Sequence, residues 1–363
     1  AEEGVTRQPV HRAAGGRGTG SRAALAVPAL LDHLSDGDVA AATGLVHDLM
    51  DSGTALSELV VDLLAPAQRE VGRRWQTAAW SIADEHVATG VIDAALAAAT
   101  LAANRQRPGP TGPRVVVTCP DGEWHQLPAR MFGALLEDAG VSVTQLGPSL
   151  PPRDLVRALR RRPFAAVVLS CTLPANLVAA GLLVDSAHEA GVPVLVGGQA
   201  FGPDRRRADA LGADSWADSA GAAAQIVRRW ADSPPPVTRR VAGSPAGSLS
   251  DALGPEDLAD VLHRVRLARP DLVPAIEQAP DATREDVVHI VRHLDVAIAV
   301  ADPRIFEEFT DWLVELLTCR GLPAGMVVAG YEAIDEVVGG RSGEARALLR
   351  ASCSRLRRDP AAV

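Results

Sequence analysis

The chain has 363 residues, 47% of them hydrophobic, which is enough apolar material for two or three cored domains. The formal net charge is −9 and every basic residue is an arginine, which argues against a nucleic-acid-binding surface spread over the whole protein. Cys119, Cys171, Cys319 and Cys353 lie far apart and form no CxxC pair, which argues against structural zinc or a disulfide framework and for reduced cytoplasmic thiols.

Residues 1–23 are rich in Arg, Gly and polar residues and carry no apolar signal region, so they are expected to be a disordered tail. No uninterrupted apolar run approaches the ~20 residues that span a bilayer, and a cytoplasmic protein is expected. From 24 to 104 the pattern is helical throughout, with Leu45, Val46, Leu49 and then Leu56, Leu59, Val60, Leu63 at helical spacing. Asp36 or Asp38 starts one helix; Ser81 with Asp84 forms a capping box that starts another. Four helices joined by short turns make an up-down bundle. Within it Trp75 ends one helix and, after nine residues, Glu85-His86 open the next. Taken alone, these read as a core Trp and a carboxylate that complements a helix dipole.

A Pro/Gly linker over 105–113 precedes a unit, 114–230, in which strands and helices alternate. Strands are expected at Val115–Cys119, Val141–Leu146, Ala165–Ser170, Val192–Val196 and near Asp214–Ala217, which gives a doubly wound parallel five-stranded sheet. The loop Pro120-Asp121-Gly122-Glu123-Trp124-His125-Gln126-Leu127 follows the first strand. A histidine there stands at the carboxyl edge of the sheet, where open α/β folds place ligands. With a carboxylate beside it, it suits a metal. Small residues end the third and fourth strands, at Ser170-Cys171-Thr172 and Gly197-Gly198. They leave room for a polar ligand tail, although a Gly pair by itself is more often a plain turn.

Residues 231–250, with Pro234-Pro235-Pro236, form a second linker, and 251–358 form a small all-α domain. One helix carries His289 and His293 at i, i+4, placed to ligate a metal, to flank a flat ligand, or to be a half-buried pair. Pro303 opens the next helix, and Gly321-Leu322-Pro323 stops it.

Three features occur in order: Trp75-x9-Glu85-His86 in a bundle, the loop Asp121-Gly122-Glu123-Trp124-His125, and a flavodoxin-like sheet with Ser170-x-Thr172 and Gly197-Gly198. Together they resemble the cobalamin-binding module, and more specifically the cobalamin-dependent photoreceptors of the CarH type. The resemblance implies that His125 coordinates cobalt from below and that Glu123 orients its imidazole. Asp121, Gly122, Trp124 and Leu127 would line the loop side of the cofactor. Ser170, Thr172, Gly197 and Gly198 would contact the nucleotide tail. Trp75, Glu85 and His86 would cover the upper face, against the 5′-deoxyadenosyl group. Two positions depart from the pattern: Pro128 stands where the family has Gly, and Gln76 stands where the family has the His that becomes the upper cobalt ligand after light. The family's winged-helix DNA-binding domain has no counterpart in the short Arg-rich tail, so no direct DNA binding is expected.

In the last unit, Asp286-x-x-His289-x-x-x-His293-Leu294, Asp302-Pro303-x-x-Phe306-x-x-Phe309-x-x-Trp312 and Arg320-Gly321-Leu322-Pro323 are similar to globin-like sensor domains. A photoreceptor module fused to such a domain resembles the photocobilins, which implies biliverdin beside adenosylcobalamin, with His289 and His293 as candidate contacts. The expected protein is a light sensor and not an enzyme, either a homo-oligomer or acting through a separate output protein. A corrinoid protein for methyl transfer and a haem or redox globin-type sensor are the alternatives.

Overall fold

The computed structural model describes residues 20–105, 109, 112–237, 248–278 and 280–358. The greater part of the expected tail and several residues of both linkers fall outside these. A helical turn, Arg22–Leu25, already begins within the stretch assigned to the tail, because Ser21 caps it through Ala24 N–H and Ala23 is buried. The bundle then consists of α1 (Val27–Ser35), α2 (Val39–Asp51), α3 (56–76) and α4 (Ile82–Arg105). Asp38 caps α2 through Ala41 N–H. At the start of α4 the capping box is reciprocal: Ser81 N–H donates to Asp84, and Asp84 N–H donates to the Ser81 hydroxyl.

Helix α3 is built from Leu56–Glu58, a wide π-turn segment Leu59–Leu64, and Ala65–Gln76. The cause is Pro66, which has no N–H to continue the ordinary ladder and whose ring crowds the carbonyl one turn back. Ala65 N–H accordingly reaches Val60 O. The extra residue in that turn rotates everything beyond it, so it sets the direction of Trp75 at the far end. Helix α4 is long and apolar enough to cross a membrane by length and composition. Here it is a bundle helix, with Val91, Ile92, Ala95, Leu96 and Ala99 packed against Leu30, Leu34, Val46, Leu59 and Leu63.

The second unit contains β1 (Arg114–Pro120), α5 (Gln126–Asp138), β2 (Ser142–Leu150), α6 (Pro152–Arg161), β3 (Ala166–Ser170), α7 (Leu177–Glu189), β4 (Val194–Gly197), α8 (Arg206–Ala210), β5 (Ser215–Trp216) and α9 (Ala220–Asp232). The strands are parallel in the order β2-β1-β3-β4-β5. The chain changes direction between β1 and β3, so the loops after these two strands straddle the switch point. β2 runs on through Gly147-Pro148-Ser149-Leu150, beyond its expected end, by a register shift against Thr118. Helix α5 is sandwiched. Ala129 and Leu136 face the sheet, while Leu127, Met131 and Ala134 enter the bundle core. Pro128 is its third residue, where no helical hydrogen bond is lost.

The last unit is helical throughout its described residues: α10 (Pro255–Ala268), α11 (Val273–Gln278), α12 (Pro280–Ala299), α13 (Arg304–Cys319), α14 (Gly325–Val338) and α15 (Gly343–Leu356). Its core, around Leu262, Val291, Leu294, Phe306, Tyr331 and Ile334, is continuous with the apolar layer of Leu155, Val167, Leu177 and Val184 on one face of the sheet. The third unit is therefore docked on the second through buried apolar side chains.

Candidate functional site

His125 stands at the N-cap of α5, at the seam between bundle and sheet. Its Nδ1 lies 2.6 Å from Glu123 Oε1. A carboxylate only accepts, so Nδ1 carries the proton, and in the neutral ring Nε2 keeps its lone pair. This is how a metal-binding imidazole is oriented by a neighbouring carboxylate. The His125 side chain is half exposed, whereas that of Glu123 is fully buried.

Burial alone would raise the Glu123 pKa, but hydrogen bonding reverses this and holds it at about 2. The carboxylate accepts from His125 N–H (3.0 Å), from Thr172 N–H and Leu173 N–H (2.9 Å each), and from Asn176 Nδ2 (3.2 Å). Glu123 thus ties the loop after β1 to the loop after β3 across the switch point. The His125 pKa is raised, first by the hydrogen bond to Glu123; the charges of Glu123 and of the bundle's Glu85 add to this. Burial raises the Cys119 thiol to about 12 and pushes the Cys171 thiol well above its ordinary value, with the Glu123 charge adding to both, so they are inert neighbours.

The rest of the loop is braced by the end of β2. Ser149 Oγ accepts from Gly122 N–H and donates to Asp121, each at 3.0 Å, while Ser149 N–H donates to Glu123 O. Leu127 is core between bundle and sheet, and Trp124 is largely exposed beside His125. A cleft of about 340 Å³, lined by Gln126, Ala129, Arg130, Gln145, Leu146 and Gly147, opens between the first turns of α5 and the end of β2. Arg130 pairs with Asp93 of the bundle and closes the seam at that point.

On the far side of the switch point, Ser170 pairs in register with Gly197, and Cys171 N–H donates to Gly197 O. Gly198 has φ +102°, and a Cβ there would lie 2.3 Å from Cys171 O. The β3 and β4 loops therefore approach backbone to backbone, which only glycine permits. Ser170 is buried, and the Thr172 N–H is engaged by Glu123.

From the bundle, Glu85 and His86 share a 2.6 Å hydrogen bond, and Thr89 donates to Glu85 at 2.8 Å. Trp75 is half-buried and faces the third unit, stacked on Trp312 with ring centroids 6.4 Å apart.

His289 and His293 do not converge in this way. His293 is buried, stacked on Phe309 at 3.8 Å, and its Nδ1 donates to His289 O at 2.7 Å, while the His289 side chain is exposed. Burial pulls the His293 pKa down to about 4, so its ring is neutral near pH 7. Motif reading missed Asn176, Arg130 and Ser149 as parts of the site. Each acts through a contact made only in the fold: Asn176 on Glu123, Arg130 on Asp93 and Ser149 on Asp121.

Two comparisons cover the first two units. A B12 binding domain matches residues 113–225, and a second B12 binding domain matches residues 28–100. The HTH-type transcriptional repressor CarH of Myxococcus xanthus is 33% identical over 144 residues, which is 38% of this chain and 46% of the repressor. The chain thus spans about half the length of that relative. A corrinoid protein of Desulfitobacterium hafniense (strain Y51) is 24% identical over 214 residues, covering 56% of this chain and 98% of that protein. Among solved structures, the monomethylamine corrinoid protein of Methanosarcina barkeri aligns with a TM-score of 0.46 at 18% identity, over 55% of this chain and 96% of its own.

Proposed function

Starting from the cobalamin-binding module that these matches identify, we propose that the chain is a light sensor that holds adenosylcobalamin between the helical bundle and the sheet. The observation that carries this reading is the carboxylate-oriented His125 at the start of α5, the helix packed between bundle and sheet; Trp75, Glu85 and His86 of the bundle are assigned to the upper side. The donor set fits the group, since the neutral His125 ring, with Nδ1–H donating to Glu123, offers its Nε2 lone pair. Bound adenosylcobalamin supplies a light-sensitive Co–C bond.

The chain's own residues do the rest. Glu123 keeps His125 in one tautomer and one direction. Ser170, Thr172, Gly197 and Gly198 border the space for the nucleotide tail. Trp75 packs over the upper side, where its position reports the size of the group present. The Gln76 amide is bonded instead to Glu315 of the third unit. The same reading places biliverdin in the third unit, near the His293–Phe309–Trp312 aromatic row. The test is the absorption spectrum of the full chain loaded with adenosylcobalamin and biliverdin, in the dark and after green light. A change in the cobalamin bands supports the reading; bands that stay unchanged end it.

A methyl-transfer corrinoid protein is the second reading, favoured by alignment along nearly the whole of the Desulfitobacterium corrinoid protein. It requires an upper face open to a partner, and turnover of bound methylcobalamin with a methyltransferase would establish it.

A further inference from the structure

Helix α13 touches both walls of the cobalamin site. At its N-terminal end Arg207, from the helix after β4, is 2% exposed and donates to Asp302 (2.8 Å), Ala200 O (3.0 Å) and Glu308 (3.1 Å). Ala200 lies in the loop that begins with Gly198, so this anchor sits on the wall of the tail crevice. At its C-terminal end Trp312 stacks on Trp75, and Glu315 accepts from Gln76 Nε2 at 2.7 Å. Arg320 lies over the Trp75 ring, 5.4 Å from its centroid, and donates to the Gln76 and Trp75 carbonyls at 3.1 and 3.4 Å. Both carbonyls belong to the last turn of α3, where a cation is favoured. Sixteen residues span about 24 Å, enough to reach from the sheet to the cap.

The two ends differ in strength. Removing a partner from a buried ion pair strands a charge in the interior, whereas solvent-exposed pairs and cation–π contacts are weak. Arg207 and Asp302 are buried; Glu315 and Arg320 are exposed. An opening of the cap must break one end, and the cap end costs less.

We propose that α13 is a crossbar that holds Trp75 closed over the cofactor, with Trp312 and Arg320 as positioning residues of the cobalamin site. The third unit moves with the sheet, and the Trp75–Trp312 junction is where the cleft yields. This rests on the cobalamin reading above, and the test separates the two.

Arg320→Ala and Trp312→Ala are made in the full chain, and the release of adenosylcobalamin and backbone amide exchange are followed. Each substitution is expected to speed release about three- to tenfold. Exchange at 77–86 rises with it, and exchange at 199–210 stays unchanged. The cobalamin spectrum that reports the His125 bond is retained, and Arg320→Lys recovers part of the effect. Wild-type release rates in both variants, or loosening at 199–210 in place of 77–86, overturn the crossbar. If the wild-type chain retains no cobalamin, the functional reading fails; the exchange comparison on the unloaded protein still decides the crossbar.

Discussion

The buried Glu123 carboxylate and the half-exposed His125 imidazole form one unit, joined at 2.6 Å and anchored by backbone N–H groups from the opposite side of the switch point. Glu123→Gln keeps the shape but turns one accepting oxygen into a donor that faces other donors. We expect a loss of about 10- to 100-fold in cobalamin affinity, as for other partners of metal-binding histidines. Titration with the cofactor checks this, and Glu123→Asp, which keeps a carboxylate, is expected to lose less.

Gly198→Ala places a methyl 2.3 Å from the Cys171 carbonyl at a backbone angle that disfavours any side chain. A loss of about 2–3 kcal/mol is expected from strain and forced separation of the β3 and β4 loops. Denaturant unfolding measures it; an unchanged midpoint contradicts the close approach.

Arg207→Met leaves Asp302 with Arg304 as its remaining partner. The expected destabilisation is about 3 kcal/mol, the lower end for a broken buried pair. Burial acts against the Asp302 charge, but Arg304 and Arg207 outweigh it and hold its pKa at about 2 against an ordinary 3.8. A depressed carboxylate stabilises the fold above pH 3.8, and that contribution is lost as pH falls from 3.8 towards 2. The variant should show a smaller loss over that window than the wild type.

His293 gives a second acid dependence at milder pH. Burial lowers its pKa from 6.5 to about 4. The unfolded chain therefore takes up the proton first as pH falls. Stability is full above pH 6.5 and declines down to pH 4, by about 3 kcal/mol in all. His293→Leu should flatten this slope in unfolding curves measured between pH 7.5 and 4.

Local signals carried much of this. The Ser81–Asp84 capping box, the Asp38 cap, the five strands and the His125 loop all follow from short-range pattern and end chemistry. What the pattern hides is long-range or made by the backbone. The N–H groups of Thr172 and Leu173 that hold Glu123 have no residue signature, because any residue but proline supplies them. Arg207 and Asp302 are 95 positions apart, and periodicity carries no information about such a pair. The π-turn needs Pro66 read against an apolar run that continues on both sides of it. The joint core of the second and third units arises because each has an apolar face left over, which is visible only once both are folded.

The central claim is that His125 Nε2 is the cobalamin donor. The most direct measurement is the absorption spectrum and retention of adenosylcobalamin by the full chain and by His125→Ala after gel filtration. We predict that the wild type keeps the cofactor with a histidine-ligated spectrum. The variant should lose about 10- to 100-fold in affinity and show the spectrum of cofactor without an imidazole from the protein. Equal retention with identical spectra would contradict the account.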